Sequence, residues 1–131
     1  MTSLPAIAVS SRDFDRIERL LDAPAARQLT ALDGLRRELA RARIVEPADL
    51  PPQTIGMHST VRLIDELDGT ERRIELVYPD QADAEAGRIS VLAPMGSALL
   101  GLSPGQSIDW QVPGGRTLRL KVLEVTARVR Q

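Results

Sequence analysis

The sequence predicts an α+β protein: a short N-terminal antiparallel helical hairpin, then a twisted antiparallel sheet of about five strands curved over one short helix. Three observations predict it. Between residues 11 and 43 the apolar residues recur in steps of three and four, the period of a helix with one buried face. After a joint holding three prolines, Val45-Glu-Pro-Ala-Asp-Leu-Pro-Pro-Gln53, the period falls to two, the alternation of strands. The pairs Asp68-Gly69 and Gly114-Gly115 then supply residues for tight hairpin turns, so neighbouring strands are expected to run antiparallel.

Residues 1–9 are apolar and read as a leading arm. Ser10 or Ser11 suits a helix N-cap, and Asp13 and Asp15 sit in the first turn, where the helix dipole favours negative charge. Phe14, Ile17, Leu20 and Leu21 fall on one face, and Arg12, Asp15, Arg16, Glu18 and Arg19 cover the other. Asp22-Ala23-Pro24 breaks the pattern and forms the hairpin tip, with Pro24 suited to the first position of a second helix. That helix, Pro24 to Arg43, carries the stripe Leu29, Leu32, Leu35 (or Arg36), Leu39 and Ala42. The two stripes face one another in an antiparallel hairpin too small to be a domain alone. The expected organisation is a hairpin over 1–45, a proline-rich linker over 46–53 and a sheet domain over 54–131.

In that domain Thr60 to Ile64 and Arg73 to Tyr78 read as strands joined by the turn Leu67-Asp-Gly-Thr70, and Pro79 ends the second. A polar loop, 80–87, leads into Ile89-Ser-Val-Leu-Ala-Pro-Met-Gly-Ser-Ala-Leu-Leu-Gly101, around which the body is organised. Ile89 and Val91 read as a strand, Pro94 and Gly96 as its break, and Ser97 to Leu100 as a short helix stopped by Gly101. One helical turn recovers too little to stand alone in water, so it must pack on the sheet. Gln106 to Val112, the turn Pro113-Gly-Gly115 and an alternating strand through Leu118, Leu120, Val122 and Val125 complete it.

Apolar residues make up 43% of the 131, enough for a core, but aromatics only 2%, so Leu, Ile, Val and Ala must fill it. So few rings provide no platform for stacking bases. The net charge of −1 with no basic block argues against sequence-specific nucleic-acid binding and against an anionic membrane surface. With no cysteine, disulfides, thiolate catalysis and cysteine zinc sites are excluded. No stretch approaches the roughly 18 apolar residues of a membrane span, and no signal-like start is visible, so a cytoplasmic location is expected.

Chemistry-bearing residues are sparse. His58, the one histidine, stands in a polar Met-His-Ser setting and reads as a hydrogen-bonded or surface residue rather than a base. Asp80, Asp83 and Glu85 share a loop but lack the glycine and terminal glutamate of a calcium loop. Gly101-Leu-Ser-Pro-Gly105 and Pro113-Gly-Gly115 lack phosphate-loop spacing. Trp110 alternates with Ile108 and Val112 and reads as core. Nothing here supports covalent or acid–base catalysis, a metal or a cofactor, so the expectation is a non-enzyme. The hairpin reads either as a packing or oligomerisation element or as a probe inserted into another protein.

A helical hairpin, a proline-rich joint, strand-turn-strand, Ile89-Ser-Val-Leu-Ala-Pro94, Ala98-Leu-Leu-Gly101 and Pro113-Gly-Gly115, in that order, resemble the Gre family of bacterial transcript cleavage factors. The resemblance covers nearly the whole chain. It implies an FKBP-like C-terminal domain that docks on RNA polymerase at the secondary-channel rim, on the rim helices of the β′ subunit. The positions it assigns to docking are Ser90, Ala93 and Pro94, with Met95 beside them and the loop acid Asp83; Ala93 departs from the family's serine. Gre factors carry a long coiled coil whose tip holds an Asp and a Glu for a second Mg²⁺. Here the paired arms reach only about 15 Å at 1.5 Å per residue, and the tip, Asp22, Ala23 and Pro24, offers one carboxylate. The resemblance therefore implies binding without cleavage, in competition with the cleavage factors.

Two other readings accompany it. The FKBP-like fold by itself implies a peptidyl-prolyl isomerase, although fold does not carry function and aromatics for such a cleft are few. One branch of the family is named for regulation of nucleoside diphosphate kinase, which implies a link to that enzyme, direct or through transcription.

Overall fold

The computed structural model describes residues 7–24, 32–51, 53–111 and 117–126. The expected Leu29 step, the helix–helix connection, the turn Pro113-Gly-Gly115 and the side chain of Trp110 lie outside them.

Strand β1 (Ala8–Ser10) leads directly into helix α1 (Ser11–Asp22). Ser10 caps α1 as its sequence position predicts, its hydroxyl accepting the Asp13 N–H at 3.2 Å. Helix α2 (Asp33–Arg41) is followed at once by β2 (Arg43–Val45). β1 and β2 pair in parallel, Val9 opposite Ile44, so the leading arm and the start of the joint form a two-stranded sheet that the sequence does not announce. Three-residue strands are too short to show an alternation. Pro47–Asp49 forms a single 3-10 turn.

The body is a five-stranded sheet ordered β5-β4-β3-β7-β6, from β3 (Thr60–Asp65), β4 (Glu71–Val77), β5 (Arg88–Ser90), β6 (Ser107–Gln111) and β7 (Thr117–Thr126). β3 runs antiparallel to β4, and β6 to β7, as the turn residues predict, and β3 also runs antiparallel to β7, a pairing that no turn announces. β5, however, runs parallel to β4, so the sheet is mixed and the wholly antiparallel expectation is corrected. The chain reaches that orientation through two 3-10 turns, Pro79–Gln81 and Ala84–Ala86, which return it alongside the last three residues of β4, 75–77.

Helix α3 (Pro94–Leu99) starts at Pro94, not Ser97: the proline that ends the strand is also the first residue of the helix, where its missing N–H is not needed. Gly101 closes it at φ +84°, and a side chain there would run into Ile7.

A single apolar cluster fills the interior. It joins Ile17 and Leu21 of α1 and Leu32, Leu35 and Leu39 of the second helical stretch to Val61, Leu63 and Leu76 of the sheet and Leu99 and Leu100 of α3. The helices are thus packed on the body, and α2 lies against α3.

Candidate functional site

The residues assigned to docking are gathered on one edge of the body by β5. Asp83 and Arg88 exchange two backbone hydrogen bonds, each 2.9 Å, which pins the exposed Asp83 to the head of the strand. The Asp83 carboxylate accepts the Glu85 N–H at 3.2 Å, holding the loop in a turn. At the other end the Ser90 hydroxyl accepts the Leu92 N–H at 3.0 Å and the Ser90 carbonyl accepts the Ala93 N–H at 3.0 Å. Ala93 then stands at the N-cap of α3 with Pro94 next, and the Ala93 carbonyl receives the Ser97 N–H at 2.9 Å.

Ser90, Ala93 and Met95 are half-buried, and Met95 packs against the core, so part of its surface is structural. Gly96 sets the tightness of this corner. A Cβ there would fall inside the envelope of the Ser90 carbonyl oxygen and meet Leu76 at 3.1 Å. Asp22, Ala23 and Pro24 are all exposed at the far end of α1, and the Ala23 N–H closes the helix on the Leu20 carbonyl at 3.3 Å.

A second cluster links α1 to the body. Asp13, expected only as a helix-dipole acid, accepts the Met57 N–H at 3.3 Å and the Tyr78 hydroxyl at 3.3 Å. The Arg16 guanidinium lies 3.9 Å from the centre of the Tyr78 ring, and His58 meets that ring edge-on at 5.8 Å. His58 adopts φ +68°, a left-handed conformation that few non-glycine residues take, and its N–H donates to the Leu76 carbonyl at 2.6 Å. Burial pushes the Tyr78 hydroxyl well above its ordinary pKa, and the neighbouring Asp13 charge adds to the rise. No local signal reveals this cluster, because Asp13 and Tyr78 are 65 positions apart.

Beside it, on the outer face of the sheet, lies a cleft of about 550 Å³ whose walls are mainly polar: His58, Thr60, Glu75, Gln81 and Arg88 take part. Among the described residues no three His, Asp or Glu side chains come together in a way that could hold a metal ion, and no helix is long and apolar enough to cross a membrane.

A two-helix segment seated on a mixed-sheet body, with a tightly turned corner at the sheet edge, is the architecture of a family of transcription elongation factors. Residues 50–127 match the family described as transcription elongation factor, GreA/GreB, C-term, and residues 5–45 match the Rnk N-terminus. The chain is 41% identical over 123 residues to the regulator of nucleoside diphosphate kinase of Escherichia coli, covering 94% of this chain and 90% of that protein. It is 33% identical over 121 residues to transcription elongation factor GreA of Rhodospirillum rubrum, covering 88% and 74%.

A solved GreA/GreB elongation factor from Nitrosomonas europaea superposes with a TM-score of 0.78 at 45% identity, over 93% of this chain and 98% of that one. The GreA factor homolog 1 protein of Thermus thermophilus, at 24% identity and a TM-score of 0.51 over 94% and 100%, shares the fold. The chain belongs to the GreA/GreB family, in the branch that carries an Rnk-type N-terminus. It is by that membership a transcription elongation factor-like regulator.

Proposed function

We propose that the chain binds RNA polymerase through the corner at Asp83, Ser90, Ala93, Pro94 and Met95, docks on the β′ rim helices of the secondary channel, and competes there with cleavage factors without stimulating cleavage. The observation that carries the second half is the shortness and charge of the helical finger. Helix α1 has 12 residues, about 18 Å at 1.5 Å per residue. From Ala23 to Leu32 the sequence holds no acid, so Asp22 stands as the single carboxylate at the tip. A catalytic Mg²⁺ is usually held by one or two protein carboxylates together with substrate oxygens in strict octahedral geometry, and one acid on a short arm is poor equipment for delivering a second ion.

The first half is supported by the membership itself and by the rigid, partly exposed corner. The test measures binding to core polymerase with and without the rim helices, and transcript hydrolysis in stalled complexes. Binding that needs the rim helices, with no hydrolysis above background, is the expected result. Equal binding to both polymerases, or hydrolysis that disappears in Asp22→Asn, overturns it.

A direct contact with nucleoside diphosphate kinase is the second reading, and the name of the Escherichia coli relative is what favours it. A pull-down with purified kinase separates it from an effect through transcription. For a peptidyl-prolyl isomerase the polar cleft gives no support, since such a site calls for an apolar, aromatic-lined pocket.

A further inference from the structure

We infer that Asp13, Tyr78 and Arg16 form a positioning clamp that fixes the direction in which α1 leaves the sheet body. The apolar face of α1 buries Ile17 and Leu21, which holds the helix down. Apolar burial is non-directional, however, and by itself tolerates sliding and tilting. The pairing of β1 with β2 anchors the base of α1, and the polar contacts add direction to it. The two oxygens of Asp13 each take a donor from a separate part of the body: Oδ2 the Met57 N–H in the loop before β3, Oδ1 the Tyr78 hydroxyl just past the end of β4. Arg16, nearly one turn further along, covers the face of the same Tyr78 ring, and His58 closes on it from another side. Tyr78 is only 3% exposed in the folded chain, with Asp13 and Arg16 of α1 against its hydroxyl and ring.

These contacts sit in the first turns of the helix, and Asp22 lies nine residues beyond Asp13. At 1.5 Å per residue that is a lever of about 14 Å, so a tilt of about 10° at the clamp moves the tip by about 2 Å. The consequence for a partner rests on the docking reading: a body held on the polymerase would present the finger at one place while the clamp is closed. Asp13, Tyr78 and Arg16 touch no partner in this scheme and act through the helix.

The absence of cysteine makes the direction measurable. Spin labels at Ala23→Cys and Leu67→Cys, both at exposed positions, report the distance between tip and body. The parent is expected to give one narrow distance. Asp13→Ala is expected to broaden it or add a second, at a temperature where far-ultraviolet circular dichroism shows the fold retained. Tyr78→Phe should do the same to a smaller degree, and the double variant no more than Asp13→Ala alone. A distance in Asp13→Ala as narrow as the parent's and at the same position overturns the clamp, whatever happens to the melting temperature. Should Asp13→Ala not fold, Tyr78→Phe decides by the same criterion.

On core polymerase, a photo-crosslinker placed at Ala23 should give one product set in the parent and a scattered set in Asp13→Ala, both proteins binding. A parent that does not bind counts against the docking reading and leaves the distance measurement to judge the clamp.

Discussion

At the level of single residues, Tyr78 shows how burial and charge combine. Burial is the larger cause of its raised pKa and the Asp13 carboxylate the next, while Arg16 opposes both. The folded chain therefore holds the phenolic proton more tightly than the unfolded chain does. Above about pH 10, the ordinary tyrosine value, the folded state carries more bound protons, so stability is full below that pH and declines as pH rises above it, by at most about 1.4 kcal/mol per unit. Because Tyr78 is the only tyrosine, its phenolate absorbance is unambiguous: ionisation is expected to coincide with alkaline unfolding and not to precede it. Asp13→Ala should lower the onset only partly, since burial, the larger cause, remains. A phenolate signal that appears near pH 10 with the fold intact would contradict the buried hydroxyl.

At the level of elements, the corner between β5 and α3 depends on Gly96. Its place against the Ser90 carbonyl leaves no room for a methyl group, and the atom in the way is backbone, which cannot swing aside. Gly96→Ala is expected to cost about 2–3 kcal/mol, measured as a shift in the urea midpoint, and, under the docking proposed above, to weaken polymerase binding more than a surface change of equal size. An unchanged midpoint would show that the corner relaxes.

The same corner marks where the sequence was readable. Helix α1 announced itself through the Ser10 cap and its apolar stripe, and β3, β4, β6 and β7 through alternation and turn residues. Pro94 and Gly96 read as breakers because each disfavours a strand. Only the packing reveals that Pro94 opens a helix and that Gly96 makes room for a carbonyl. The β1–β2 pairing and the parallel β5 were hidden for a related reason: three residues carry no period, and orientation is set by a distant partner. The corner proposed for docking was singled out by resemblance alone, whereas the contact between Asp13 and Tyr78 had no trace in either segment.

Across the whole molecule, the helices and the sheet draw on one apolar cluster, and this sets how the chain unfolds. A finger attached by a flexible joint would melt by itself, since a helix of 12 residues is marginal in isolation. Here Leu35 and Leu39 of α2 and Ile17 of α1 are 0–2% exposed and share their cluster with Leu63, Leu76 and Leu99. β1 and β2 tie the two helical stretches at their base, and Gly101 brings the closing turn of α3 against Ile7. Losing the helices would uncover the sheet, so the two parts should stand or fall together. Helicity by circular dichroism and the fluorescence of Trp110, the single tryptophan and a residue of β6, should follow one transition in urea. Leu35→Ala removes buried surface from the helical side only, at an expected cost of about 2–5 kcal/mol. It should move both signals by the same amount, and a fluorescence midpoint that stays in place while helicity is lost earlier would show that the finger folds as a separate unit.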